Sequence, residues 1–263
     1  MSEPTGGQRI AIRVIVRTMR NPTRAGVSAA LRKLARPAGG FDAARYFRGG
    51  HGLRFHNVGT AAVRSLAREI YLANRDRWTV DDATRFADAL MRDPYLETKA
   101  IGIEVVARYR RSFAPRLLPA WKRWLAGDLS TNWATTDLIC GMLMGPLLVD
   151  HPHLIPVVAR WARHRNMWVR RASAVALIPA VRGGRALDVA YDVARALHGD
   201  REDLIQKAVG WMLREAGKQD AARLERYLRA EGSRIPRTTL RYAIERFPVG
   251  KRRALLAVTR RSA

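Results

Sequence analysis

Trp133, Trp168 and Trp211 lie 35 and 43 residues apart, and each has a charged residue about one helical turn on: Asp137, Arg171 and Arg214. Positions three or four apart on a helix are neighbours on one surface. Lys207 stands four residues before Trp211, which gives that segment a Lys, Trp, Arg stripe. Any one of these tryptophans alone reads first as core packing, because an indole buries a large area. Three of them, each beside a charge and each about one ~40-residue period from the next, point to an exposed aromatic and charged face. On such a face cations would neutralise phosphates, and helix N-termini would add backbone donors. Asp137 is the odd member. A carboxylate in a basic, phosphate-facing groove is repelled by the ligand, so it either pairs with an arginine such as Arg171 or has a chemical task.

The elements that must carry these residues read as helices. From about residue 23 onward Ala, Leu and Arg dominate, and apolar residues recur at spacings of three and four. Thr79 with Asp82 three residues on is a helix start, and Thr60 opens another run. Breaks fall at Asp93-Pro94-Tyr95, Ala114-Pro115, Asp150-His151-Pro152, Arg182-Gly183-Gly184 and Ala216-Gly217. The pattern predicts helix pairs at 60–74 with 80–92, 95–111 with 116–126, 130–148 with 153–164, 167–181 with 186–198, and 202–216 with 219–230, then a last helix at 237–247. Spacings of ~40 residues per pair fit HEAT-like repeats, stacked arrays whose concave face is a groove for an extended partner. The expected fold class is therefore all-α, an α-solenoid of HEAT-like helix pairs over residues 23–248. Ile10, Ile12, Val14 and Val16 alternate as in a strand, but nothing nearby offers a partner strand. Residues 1–22 are read as a flexible basic arm and 249–263 as a basic tail.

Charge narrows the partner. Among 263 residues, 48 are Lys or Arg against 23 Asp or Glu, a net charge of +25, and the sequence pI is near 11.5. A globular chain this basic suits a polyanion; nucleic acid comes first, an acidic membrane surface second, and an arginine-rich solubilising surface is the bland reading. One cysteine, Cys140, excludes an intrachain disulfide and reads as a small buried residue. No run approaches the ~20 apolar residues of a membrane span, and Arg9–Arg17 is too short and polar for a signal peptide. An intracellular, cytoplasmic protein associated with the nucleoid is expected. His151 and His153 flank Pro152 without the cysteine or carboxylate spacing of a metal site, so no metal is expected. Gly49-Gly50 and Gly183-Gly184 are turns, not phosphate loops, since no strand precedes them.

Three segments carry a resemblance. Trp133-Ala-Thr-Thr-Asp137, Trp168-Val-Arg-Arg171-Ala and Ile205-Gln-Lys-Ala-Val-Gly-Trp211-Met-Leu-Arg-Glu215 are similar, in type, order and separation, to the signature segments of the AlkD-type DNA alkylation-repair glycosylases. Ala44-Arg-Tyr-Phe47, Phe55-His-Asn-Val-Gly-Thr60 and Arg241-Tyr-Ala-Ile244 add to it, and the similarity spans roughly residues 23–248. What the resemblance implies is a right-handed superhelix that grips duplex DNA in its concave face. It also implies hydrolysis of the N-glycosidic bond of N3- or N7-alkylated purines by a monomer with neither metal nor cofactor. Trp133, Asp137 and Trp211 match the family's catalytic positions, and Arg171 an arginine that holds DNA beside the lesion. Lys207, Arg214, Arg170, Trp168 and Arg241 lie in or beside the matching segments and are further candidates for DNA contact. One departure stands out: family members can show aromatic residues before the Ile-Gln-Lys segment, where this chain has Asp203-Leu204.

The chemistry follows from the residue types. An N-alkylated purine is already cationic and leaves without a general acid. What the enzyme supplies is negative potential at an oxocarbenium-like sugar and a placed water; a carboxylate at Asp137 does both. The faces of Trp133 and Trp211 favour the developing cation, and Arg171, Lys207 and Arg214 would hold phosphates. No base-flipping pocket is implied, so bulky adducts fit, and self-protection against a DNA-alkylating natural product stands beside general base excision repair. A HEAT-like protein that binds damaged or branched DNA without excision is the alternative, although a pure binder gains nothing from Asp137. A protein-binding helical scaffold is a third reading, disfavoured by the charge.

Overall fold

The computed structural model describes residues 6–18, 21–35, 37, 47 and 53–258. Ala44-Arg-Tyr46 and Gly49-Gly50, named above, lie outside the described residues. The described elements are helical throughout, with α-helices joined by short 3-10 turns and one isolated bridge, Arg54 to Tyr95. The chain divides into two compact units, residues 1–143 and 144–263.

In the first unit the helices are α1 (Gly6–Thr18), α2 (Arg24–Leu34), α3 (Thr60–Asn74), α4 (Val80–Met91), α5 (Leu96–Ala107), α6 (Leu118–Ala126) and α7 (Trp133–Ile139). The expected capping box is present: Thr79 Oγ1 accepts from Asp82 N at 3.2 Å, and Asp82 Oδ2 accepts from Thr79 N at 2.9 Å. Helix α5 is enclosed by its neighbours: Ile101, Ile103, Val105 and Val106 are all buried, and so are its charged residues Glu97, Lys99 and Glu104. It packs on both α3 and α4. Gly102 makes this possible, since a Cβ there would sit 3.1 Å from Ala87 Cα. On α6, Trp121 and Trp124 are fully buried, and the Trp124 indole donates to Asp88 at 3.0 Å.

Residues 1–5 and 19–20 lie outside the described residues; over Gly6–Thr18 the flexible arm expected for residues 1–22 is corrected by α1. Within its alternating apolar residues, Ile12 and Val16 are four apart, and both are buried against α3. Ile10 and Val14 face outward, 67% and 57% exposed. Period-2 alternation thus hid an i, i+4 pair, and the partner that pays for ordering is a helix, not a strand.

The second unit holds α8 (Gly145–Asp150), α9 (Ile155–Ala159), α10 (Met167–Val175), α11 (Ile178–Arg182), α12 (Leu187–Leu197), α13 (Asp203–Gln219), α14 (Ala221–Glu231), α15 (Arg237–Ala243) and α16 (Val249–Val258). The run read as one helix over 167–181 is broken into α10 and α11 where Pro179, near the start of α11, has no N–H to donate. Likewise the run over 130–148 passes through a π-helical turn, Cys140–Met144, before Pro146 in the first turn of α8. The long α13 packs against α10, α11, α12, α14 and α15. Its Gly210 lets α15 cross closely: a Cβ there would lie 2.4 Å from Tyr242 Cβ and 2.7 Å from the Thr239 carbonyl. The tail expected over 249–263 is also corrected through residue 258. Helix α16 buries Leu255 completely, and Lys251 bonds Glu225 of α14 at 2.6 Å.

Candidate functional site

Within the first unit, local hydrogen bonds fix where α7 begins. Asn132 is the N-cap; its side chain accepts from Thr135 N at 2.8 Å and donates to Thr135 Oγ1 at 3.0 Å. The hydroxyls of Ser130 and Thr136 meet at 2.8 Å. Trp133 is thereby the first helical residue, and Asp137 stands one turn on along the same face. The Trp133 indole stacks on Phe47, with centroids 5.3 Å apart and planes inclined 17°, and Phe47 leans on Phe55.

Trp133 and Asp137 both line one cleft of about 440 Å³. Its apolar wall includes Val63, Leu96, Leu138 and Met142, and its polar groups come from Thr60, Glu97 and Asp137. Both key side chains are half-buried, partly shielded and still reachable. Glu97, in the first turn of α5, is buried. Its carboxylate accepts from the backbone N–H groups of His56 at 3.0 Å and Val58 at 3.3 Å. Those bonds, with Arg54 N to the Pro94 carbonyl at 3.0 Å and Leu96 N to the Arg54 carbonyl at 2.9 Å, strap residues 54–58 onto the head of α5. The π-helical turn directly after α7 presents Met142 to the cleft.

The second unit holds the basic residues singled out above. Trp211 is half-buried on α13, with the Arg182 guanidinium 6.0 Å from its ring centroid. Arg182 also bonds Glu215 at 3.0 Å, and Lys218 bonds it at 2.8 Å. Burial alone would raise the Glu215 carboxyl, but these two cations together hold it well down, at about 2. Lys207 pairs with Asp203 one turn earlier, at 2.6 Å. Arg214 pairs with Glu245 in the turn after α15. Arg241, on α15 itself, is exposed.

The remaining candidates are more deeply engaged than the sequence suggests. Arg170 bonds Asp200 at 2.7 Å and the carbonyls of His164 and Arg165 at 3.0 and 2.8 Å. Arg171 is buried, and its guanidinium donates to the Leu204 carbonyl. Trp168 is 8% exposed, so the core reading describes it better than an exposed aromatic face. The Asp203-Leu204 pair that departs from the family pattern supplies partners to both Lys207 and Arg171. Sequence reasoning missed Glu97 and the Phe47 stack. A carboxylate in the first turn of a largely apolar helix was the available signal for Glu97.

Cys140 is fully buried, and the His151 and His153 rings lie 5.9 Å apart, edge to face. Among the described residues no group of three or more His, Cys, Asp or Glu is placed to hold a metal ion. No single described helix is long and apolar enough to cross a membrane.

Comparison with known proteins follows the same lines. The sequence profile of a family described as DNA alkylation repair enzyme matches residues 27–247. A solved structure described as a predicted DNA alkylation repair enzyme from Enterococcus faecalis superposes with a TM-score of 0.69 at 16% identity, covering 78% of this chain and 93% of that one. At that identity the likeness is one of fold. No curated protein matches the chain significantly by sequence.

Proposed function

We propose that this chain, which belongs to the DNA alkylation repair enzymes, is a monofunctional DNA N-glycosylase that hydrolyses the N-glycosidic bond of cationic N3- or N7-alkylated purines in duplex DNA. The observation that carries this reading is the pairing of Trp133 and Asp137 on one turn of α7, both lining an apolar cleft in a chain of net charge +25. A carboxylate retained in so basic a protein, half-shielded beside an indole, suits a reaction that builds positive charge.

The leaving purine carries its own positive charge, so no general acid is needed. As the bond to C1′ lengthens, the deoxyribose becomes oxocarbenium-like. The Asp137 carboxylate stabilises that charge and orients the water that adds to C1′. The shielding of the cleft strengthens the interaction, since charges attract more in a low-dielectric surround. The Trp133 face, steadied by its stack on Phe47, adds the negative side of its quadrupole, and Trp211 has the same proposed task. Lys207 and Arg241 are the proposed phosphate contacts with the most exposed side chains, while Arg170, Arg171, Arg214 and Trp168 would act chiefly by shaping the surface that DNA meets. Duplex DNA with an alkylated purine is the proposed partner, a monomer the proposed state, the cytoplasm the proposed location, and no cofactor is invoked.

Incubation of the protein with duplex DNA containing 7-methylguanine or 3-methyladenine tests the reading through release of free base. Wild-type release that falls at least a hundredfold in Asp137→Asn, with DNA binding retained, is the expected result. DNA binding without release from either lesion would refute it in favour of a binding protein.

A further inference from the structure

Two charged side chains of α5, Glu97 and Lys99, are buried and serve different neighbours. A step of two residues turns about 200° around a helix, so they leave α5 on opposite sides. Glu97 holds the backbone of His56 and Val58, and Val58 lines the cleft. Lys99 is 7% exposed, and its ammonium donates to the carbonyls of Met91 at 2.5 Å and Leu129 at 2.6 Å. Burial lowers that ammonium from 10.5 to about 8, with the charge of Asp93 opposing the shift. It therefore keeps its proton at neutral pH, and hydrogen bonds from a charged donor are roughly twice as strong as neutral ones.

Met91 ends α4, whereas Leu129 lies in the turn between α6 and α7. Asp128, just before it, has a φ of 57°, a left-handed conformation that a non-glycine residue keeps only where its surroundings fix it. Just after it, Ser130 N donates to the Trp124 carbonyl at 3.0 Å, and the Ser130 hydroxyl meets that of Thr136 at 2.8 Å. Asn132 then caps α7. These bonds join the turn to α6 and α7, its own neighbours in sequence. Lys99 joins it to α5, which packs on α7 and lines the cleft through Leu96, Glu97 and Ala100. Trp133 and Asp137, which line the same cleft, follow shortly after Leu129. Lys99 itself is not part of the lining.

We propose that Lys99 is a positioning residue: by tying the turn before α7 to α5, it fixes how far Trp133 and Asp137 reach toward the deoxyribose. The proposal rests on the glycosylase reading for its consequence, while its structural half is measurable without base release. The Ser130 and Asn132 bonds move with α6 and α7; the Lys99 bond is the one that holds the turn against α5. Displacing a reacting group by about 1 Å is enough to slow a reaction on the order of a hundredfold.

The experiment compares full-length wild type with Lys99→Met, a side chain of similar length that donates nothing. Three quantities are measured: single-turnover release of 7-methylguanine from duplex DNA, the Kd for the same duplex without the lesion, and backbone amide exchange by mass spectrometry. Release is expected to slow on the order of tenfold or more, with Kd unchanged. Amide exchange is expected to quicken over residues 128–139 and to stay unchanged over α13. Release at the wild-type rate by a folded Lys99→Met overturns the proposal. So does faster exchange spread across the whole first unit with release and binding weakened together, because that is a general loss of stability. Lys99→Gln, which keeps amide donors in the site without a charge to bury, carries the same test if Lys99→Met does not fold. If even the wild type releases no base, the glycosylase reading fails, and the exchange over residues 128–139 still decides whether Lys99 holds α7: unchanged exchange there overturns the proposal.

Discussion

Replacing Glu215 with glutamine isolates the electrostatics that hold the basic face of α13. Glu215 is 2% exposed and receives Arg182 at 3.0 Å and Lys218 at 2.8 Å. Its carboxyl lies at about 2 in the folded chain against 4.5 without neighbours: burial opposes the charge, and the hydrogen bonds and charges of Arg182 and Lys218 outweigh it. The folded value is depressed, so the stabilisation is complete above the unfolded value, near pH 4.5, and is lost as pH falls toward 2. A gap of that size corresponds to about 3 kcal/mol at most. Arg182 and Lys218 are themselves about half exposed, and solvent screening reduces the contribution to ~1–2 kcal/mol. Urea unfolding of wild type and Glu215→Gln at several pH values between 6 and 3 measures it. The expected result is a variant less stable by ~1–2 kcal/mol at pH 6, with the difference shrinking steadily below pH 4.5. A gap that stays constant with pH would refute the argument, because a packing loss does not titrate. A gap that widens as pH falls would reverse its sign.

Two further perturbations test other parts of the structure. Gly210→Ala places a Cβ 2.4 Å from Tyr242 and 2.7 Å from the Thr239 carbonyl. It should lower the urea midpoint by the equivalent of about 1–3 kcal/mol at unchanged slope, and full wild-type stability would mean that α15 does not sit that close. Asp203→Asn removes the carboxylate 2.6 Å from Lys207. With the lysine released to phosphate, DNA binding should tighten a few-fold at low salt and its logarithmic salt dependence should steepen by up to about 1; an unchanged slope would show that Lys207 does not meet DNA.

Much of the chain was legible in its local chemistry. The Thr79 and Asp82 box, the Asp-Pro and Gly-Gly breaks and the i, i+4 placement of Trp133 and Asp137 depend on residues a few positions apart, and helix starts, stops and faces are decided at that range. The Pro-initiated α8 and α11 were legible too, had Pro146 and Pro179 been weighed against the longer apolar runs around them. What long-range packing alone decided is equally specific. Whether alternating Ile12 and Val16 form a strand or a helix depended on α3, some fifty residues away, offering a surface to bury them. Whether Arg170, Arg171 and Arg214 are available to phosphate depended on Asp200, Leu204 and Glu245, each about thirty residues further along. Trp168 turned to the core while Trp211 kept one side open, though each has an arginine three residues on. Residue types and short spacings suffice for a chain that is helical, basic and equipped with an aspartate one turn from a tryptophan. Folding alone brings that aspartate into an apolar cleft with a second carboxylate and, among the described residues, no cation. A residue's type and local spacing set its backbone state, but its charge environment is set by neighbours that the chain brings near only by folding.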